Sequence, residues 1–319
     1  MLALNPKEYL GASYSTAAKS GPSSASPPAS SSQDVEMSEP TGLIAKSGIE
    51  LLTFGTPNGY KISILLEELK EAYGLEYTWQ SVNITKGTQK QPWFTAVNPN
   101  GRIPALVDHD RGGLRVFEGL AILNYLARTY DREHRLSFDP AGADAGAEFA
   151  EAESWTAWQH GGLGPMQGQA NHFLRFAPPG DDGNKIPYAV QRYVGETERL
   201  YGVLEARLAE PRREYVAGAG PAGRFSVADI SILGWADVAA FAGVDLPARF
   251  PRVRAWLDRC RSRPAVRRGF AVPFESSLSN AKLAAAEAEG DPEKRRAAEE
   301  TRKLIRESKE KFGYKYSSP

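Results

Sequence analysis

The chain has 319 residues, a length that corresponds to about two domains. Lys plus Arg and Asp plus Glu number 39 each, so no charge excess points to nucleic acid or an anionic membrane as partner. No run approaches the roughly 18 apolar residues of a membrane helix, and the single cysteine, Cys260, excludes an internal disulfide and a cysteine-rich zinc site.

Residues 1–48 are rich in Ser, Ala, Gly and Pro, with SGPSSASPPASSSQ at their centre. Such a segment buries too little apolar surface to offset its ordering entropy and is expected to be a disordered tail. The opening MLALNPKEYLGA has no apolar core behind a basic run and no arginine, which argues against secretory and mitochondrial leaders and leaves a cytoplasmic protein as the expectation.

Ile49 to Phe54 is a short apolar strand. Thr56-Pro57 then opens a helix, threonine as cap and proline at the first helical position. Ile62, Leu65, Leu66 and Leu69 give that helix an apolar stripe, and Gly74 closes it. Tyr77 to Val82 is a second strand, so the opening β-α-β unit implies parallel pairing. Ala105–Asp108 and Leu114–Phe117 flank HDRGG as an antiparallel hairpin, and the helix EGLAILNYLARTY follows from about Glu118. This order over residues 49–135 is that of a thioredoxin-like α/β domain.

A Gly/Pro/Asp linker near 136–143 precedes an all-α domain over residues 143–273. Helical pattern runs from about 145 to 176, interrupted by GGLGP; Tyr188 to Ala209 is one helix. Ser226-Val-Ala-Asp229 starts another in capping-box fashion, ahead of the apolar run Ile230 to Phe241. Val253 to Arg261 forms a shorter helix that ends before Pro264. Residues 275–319 form a charged helical tail whose apolar positions Leu283, Leu304, Ile305 and Phe312 are too sparse for a core stripe. A solvated helix is the expectation, a helix lying on the body or on a second subunit the alternative.

Two motifs invite chemistry. GGLGP lacks the Lys-Ser/Thr of a phosphate loop, and its glycines are read as letting helices approach closely. In NPNGRIPALVD, Pro104 opens a strand, where it cannot donate to a ladder. In a thioredoxin-like fold that proline is expected to be cis, turning the backbone of Ile103 outward to pair with an extended peptide.

Together, TPNGYKISILLEEL, NPNGRIPALVDH, FEGLAIL, QHGGLGPMQGQANHF and IPYAVQRYVGETERLYGVL resemble the glutathione-transferase superfamily over about residues 49–273. They are most similar to its nu class and to fungal relatives of the yeast nitrogen-regulator prion protein. The resemblance implies bound glutathione, or glutathione disulfide, with its sulfur at the N-terminus of the helix that begins at Pro57. Backbone N–H groups and the helix dipole there would favour a thiolate. Thr56 and Asn58 stand where the superfamily usually has Tyr, Ser or Cys; Asn58 can donate its amide and Thr56 its hydroxyl, or Thr56 can be a plain cap and Asn58 a solvated residue. Glu118 lies where the family binds the γ-glutamyl ammonium. Gly119 replaces the family's serine, which leaves only a backbone donor for the γ-glutamyl carboxylate. Gln89 and Arg102 match positions at the glycyl end, and Ile103-Pro104 the peptide-pairing position. Arg192 could bind a carboxylate of a second glutathionyl unit or be a solvated helix residue. His172 and Cys260 are read as structural, and no metal is expected.

The resemblance also implies a homodimer. Three activities remain open: disulfide exchange by the thiolate of bound glutathione, conjugation of glutathione to small electrophiles, and non-catalytic glutathione binding in regulation. The partners are glutathione with a small disulfide or electrophile; neither nucleic acid nor a membrane is expected.

Overall fold

The computed structural model describes residues 39–141, 145–178, 180, 185–289 and 292–313. Residues 1–38 of the Ser/Ala/Pro tail and the final residues 314–319 lie outside the described residues.

The first domain is a four-stranded sheet of order β2-β1-β3-β4. Strand β1 (Ile49–Thr53) is buried along its length and pairs in parallel with β2 (Tyr77–Ser81) and antiparallel with β3 (Ala105–Asp108), which pairs antiparallel with β4 (Leu114–Phe117). Helix α1 (Pro57–Tyr73) crosses from β1 to β2; the Thr56 hydroxyl oxygen caps it by accepting from the Gly59 N–H at 3.2 Å, and it ends at Gly74 in the left-handed conformation. The four-residue α2 (Pro92–Thr95) leads toward β3, and α3 (Gly119–Tyr130) follows β4. The fold is thus a thioredoxin-like domain followed by a helical one.

Helix α1 departs from its amphipathic reading. Every residue from Gly59 to Leu69 is buried, not only the stripe of Ile62, Leu65, Leu66 and Leu69. The helical domain covers the face that the sheet and α3 leave open, so polar residues there must find partners. The Ser63 hydroxyl donates to the Gly269 carbonyl at 2.7 Å, and the Glu68 carboxylate accepts two hydrogen bonds from Arg263, at 2.7 and 2.6 Å.

In the second domain α4 (Ala145–Trp158) runs into α5 (Gly164–Asn171) without interruption. The backbone widens instead into a π turn at Gln159–Leu163, and a second π turn follows at His172–Phe176. Next come α6 (Pro187–Leu208), α7 (Val227–Ala236), the short α8 (Leu246–Arg249), α9 (Pro251–Ser262) and α10 (Pro264–Phe270). The capping box at the start of α7 is present, with Ser226 as cap and Asp229 reaching back to its N–H at 3.0 Å. Among the described residues no helix is long and apolar enough to cross a membrane.

Both tails meet the body. Residues before 49 pack on the sheet: the N–H groups of Ile44 and Ala45 donate to the Glu50 carboxylate at 2.9 and 3.1 Å, and Gln80 donates to the Gly42 carbonyl. Glu50 is fully buried in β1, so its oxygens need these donors. At the other end, α11 (Asn280–Ala288) and α12 (Pro292–Phe312) follow α10, and α12 lies along α6 rather than in solvent. Its stripe is sparse, as the sequence indicates, but Ile305 is only 8% exposed and joins the core. Buried Glu198 of α6 supplies the rest, pairing with Lys309 at 2.6 Å and with Arg249, while Gln191 donates to the Gly313 carbonyl at 2.6 Å. An Ile305→Ala variant is expected to lose about 2 kcal/mol of stability, whereas Arg296→Ala on the exposed face changes it by less than about 0.5 kcal/mol; urea unfolding measures both.

Candidate functional site

The site forms where two helix N-termini meet one edge of the cis Ile103–Pro104 turn. At the start of α1, Pro57 has no N–H, and the Gly59 N–H is taken by Thr56. The Asn58 N–H has no acceptor among the described residues, so it remains available to an anion with the helix dipole behind it.

The Asn58 side chain is exposed but oriented. The Trp235 indole Nε1–H donates to Asn58 Oδ1 at 3.1 Å. Indole nitrogen can only donate, so the oxygen faces the indole and the amide NH₂ points away from it. Trp235 reaches Asn58 because α7 touches the start of α1 directly. A Cβ at Gly234 would lie 2.4 Å from the Pro57 carbonyl oxygen, so only glycine permits this approach. A buried chain of hydrogen bonds fixes the end of α7: Tyr201 donates to Gln167 Oε1 at 2.8 Å, and Gln167 donates to the Trp235 carbonyl at 2.9 Å.

The turn before β3 is braced by Asn98, which is 1% exposed and donates to the Arg102 carbonyl at 2.6 Å. The backbone N–H and C=O of Ile103 have no partner among the described residues, leaving a strand-like edge for an extended peptide. Arg102 is exposed beside it. Half-buried Gln89 lies next to Gly101; its Nε2 donates to the Ile84 carbonyl at 3.3 Å, and its buried Oε1 has no described partner.

Next to this turn, Glu118 caps α3 at φ 69° and ψ 121°, a conformation that is rare for a residue with a side chain and that clusters at ligand sites. Its Oε1 accepts from Asn100 at 3.1 Å. The first intrahelical bond of α3 runs from Ile122 N–H to the Glu118 carbonyl, so the N–H groups of Gly119, Leu120 and Ala121 have no described acceptor. Below them Lys61 Nζ donates to Gln159 Oε1 at 2.5 Å and contacts His160 Nε2 at 3.1 Å. His160 Nδ1 faces the Thr156 carbonyl at 2.8 Å, which assigns the ring proton to Nδ1 and makes Nε2 the acceptor of the Lys61 proton. Burial lowers the Lys61 pKa to about 7 against the pull of Glu118, and burial with the nearby Lys61 charge lowers that of His160 to about 4.

Thr56, Asn58, Arg102, Ile103, Pro104, Glu118 and Gly119 therefore belong to the α1 start, the Ile103–Pro104 turn or the α3 start, whereas Gln89 sits in the turn Thr88–Lys90, whose backbone meets Gly101. Thr56 acts as a cap, with its hydroxyl hydrogen still available. Arg192 stands apart on α6, beside Glu196 at 4.0 Å. Cys260 is fully buried in α9, where burial pushes its thiol well above the ordinary range. Sequence reasoning passed over Gly234, Trp235, Lys61, Gln159 and His160. A tryptophan after glycine at the end of an apolar helix was a usable signal, because a buried indole N–H needs an acceptor. Lys61, one place from the apolar stripe, carried no such signal.

A thioredoxin-like sheet that presents a helix N-terminus, a cis-proline edge and a second helix N-terminus, completed by a helical domain, defines a class of protein that can hold a thiol peptide. The sequence profiles of the glutathione S-transferase N-terminal and C-terminal domains match residues 47–128 and 187–259. Disulfide-bond oxidoreductase YfcG of Escherichia coli is 41% identical over 68% of this chain and 92% of its own length. Protein URE2 of Eremothecium gossypii is 36% identical over 66% of this chain, a match that spans 64% of the URE2 length. The crystal structure of a glutathione transferase homolog from Lodderomyces elongisporus, with two GSH per subunit, superposes with a TM-score of 0.62 at 39% identity, covering 71% of this chain and 99% of that one. The chain belongs to the glutathione S-transferase family.

The Lys61 ammonium gives a stability test. Its folded pKa of about 7 lies below the unfolded value of 10.5, so between these pH values the unfolded chain binds the proton that the folded chain has released. This group therefore makes stability rise with pH across that window. Lys61→Met is expected to remove that rise, as read from urea midpoints at pH values through the interval.

Proposed function

We propose that the protein is a glutathione-dependent disulfide-bond oxidoreductase that works through the thiolate of bound glutathione. One observation carries the reading. The Asn58 amide is held with its NH₂ turned from the indole at the start of α1, in a chain whose one thiol is buried. The site is built to stabilise a sulfur anion that the protein itself does not supply.

Glutathione fits with its sulfur at the α1 N-terminus, near the Asn58 N–H and NH₂ and the Thr56 hydroxyl. Its cysteinyl backbone pairs with Ile103 beside Pro104. Its γ-glutamyl ammonium meets Glu118, and its α-carboxylate meets the N–H groups that begin at Gly119. Gln89 and Arg102 lie toward the glycyl end. In the first step the bound thiolate attacks one sulfur of a small disulfide; a glutathionyl mixed disulfide forms and the other half leaves as a thiolate. A second glutathione thiolate then attacks the glutathionyl sulfur, giving glutathione disulfide and releasing the remaining substrate thiolate. The name of the Escherichia coli relative and the two GSH per subunit of the Lodderomyces structure support this reading. Arg192 is the residue proposed to meet a carboxylate of the second unit.

Conjugation is the second reading, and Phe274 is what favours it. This exposed ring lies against Gly55, 5.0 Å from the Phe54 ring, as an apolar wall one residue before Thr56. Turnover of hydroxyethyl disulfide with glutathione, coupled to glutathione reductase, separates the two from turnover of chlorodinitrobenzene. Disulfide turnover is expected to predominate. Its kcat/KM should fall about 10- to 100-fold in Asn58→Ala, as for the loss of a donor to a developing or resident anion. Cys260→Ser should leave it unchanged. Arene turnover without disulfide turnover would replace the first reading by the second.

A further inference from the structure

Beneath the first turn of α3 lies a cluster that the sulfur chemistry does not use. Lys61 is 1% exposed, yet no carboxylate among the described residues pairs with its ammonium. Its two acceptors, Gln159 Oε1 and His160 Nε2, are neutral groups, and its third N–H has no described acceptor. A buried cation without a counter-ion is costly. Just above it, the N–H groups of Gly119, Leu120 and Ala121 also lack acceptors. Both features call for the same thing, an anion at the α3 N-terminus.

His160 gives the cluster its shape. A Cβ at Gly119 would stand 3.2 Å from His160 Nε2 and 3.9 Å from Lys61 Cδ. The imidazole therefore crowds the space that a side chain at position 119 would need, and it is fixed there by its bond to the Thr156 carbonyl at 2.8 Å. A side chain at 119 would press on the imidazole at 160, which would have to give by a few tenths of an ångström against its bond to Thr156.

We propose that Lys61 and His160 determine the head-group specificity of this site: with glycine at 119, the imidazole pins the Lys61 ammonium beneath α3, and the buried cation replaces a side-chain hydroxyl in reading the α-carboxylate of a γ-glutamyl group. The inference rests on the glutathione reading above and sharpens it. The ligand class is thiol peptides that begin with an α-amino acid head group, preferred over amines that lack the carboxylate. The charged and titratable groups that face Lys61 among the described residues are Glu118 from the α3 cap and His160 from the π turn. A bound carboxylate strengthens the ammonium's hold on its proton. Since burial lowers Lys61 to about 7 in the unliganded site, binding takes up a proton near and above neutral pH, and affinity falls as pH rises.

Titration calorimetry of the full chain with S-methylglutathione tests this without interference from a titrating thiol. The second probe is the same peptide with 4-aminobutyryl in place of γ-glutamyl, which removes only the α-carboxylate. Wild type is expected to bind the second probe at least about tenfold more weakly, in line with hydrogen bonds to a charged group. In Lys61→Met that preference should shrink to within about twofold, with the buffer-dependent heat of proton uptake lost. His160→Ala should weaken the preference in the same sense. Gly119→Ser should weaken S-methylglutathione binding, and Gly119→Ser/His160→Ala should restore it, a coupling that independent sites do not show. If wild type binds S-methylglutathione but Lys61→Met and His160→Ala both keep the full preference, the proposal is overturned and the glutathione reading stands. If wild type binds neither probe, the glutathione reading falls and takes the proposal with it.

Discussion

One hydrogen bond, from the Trp235 indole to Asn58 Oδ1, sets the polarity of the site, and it joins residues 177 positions apart in the chain. Without the indole the amide could rotate and present either oxygen or nitrogen; with it, the nitrogen is committed outward. That bond depends on backbone contact between α7 and the first residue of α1, which the missing side chain of Gly234 permits. The thioredoxin-like domain supplies the helix N-terminus, and the helical domain determines what its first exposed side chain does. The core follows the same plan: one apolar cluster contains Leu65 and Ile122 of the first domain together with Tyr201 and Trp256 of the second. Clefts at such junctions are common places for small-ligand sites.

Burying α1 on all sides has consequences for electrostatics. A helix that meets solvent along one face can hold its charges in water, but Lys61, Glu67 and Glu68 cannot. The two glutamates are answered by arginines from the segment around α10, with Arg268 paired to Glu67 and Arg263 to Glu68. Among the described residues Lys61 hydrogen-bonds only to neutral groups, with Glu118 facing it but not paired to it, and it lies under the start of α3. Uncompensated charge tends to be kept where binding or chemistry uses it. The widened backbone at Gln159–Leu163 belongs to the same feature, since the π turn carries both acceptors of Lys61.

Much of this was legible in the sequence. Strand and hairpin patterns gave the four strands to within a residue, and Thr56-Pro57, Gly74 and Ser226-x-x-Asp229 marked helix ends because caps are local chemistry. Asn58, Ile103, Glu118 and Gly119 were singled out through motif resemblance and the logic of helix N-termini, and the structure places them at the α1 start, the Ile103–Pro104 turn and the α3 start. Long-range contact was not legible. Nothing local to Trp235 says that its indole meets Asn58, and nothing local to Lys61 says that the helical domain will close over it. For a related reason a solvated helix was the first expectation at the C-terminus, where the structure shows the alternative of a helix lying on the body. Ile305 alone makes a weak stripe, and residues 42–45 read as part of a disordered tail, until buried Glu198 and Glu50 create a need for partners that lie elsewhere in the chain. GGLGP read as a break because glycine and proline usually punctuate helices, whereas here a π turn carries the helix through.

The central claim is that the α1 N-terminus with Asn58 holds the sulfur of glutathione as an anion. The most direct measurement is the pH titration of thiolate ultraviolet absorbance for glutathione bound at saturation, in wild type and in Asn58→Ala. The account predicts a bound thiol pKa at least about one unit below that of glutathione in solution, moving back toward the solution value in the variant. A bound thiol that titrates as it does in water would contradict it.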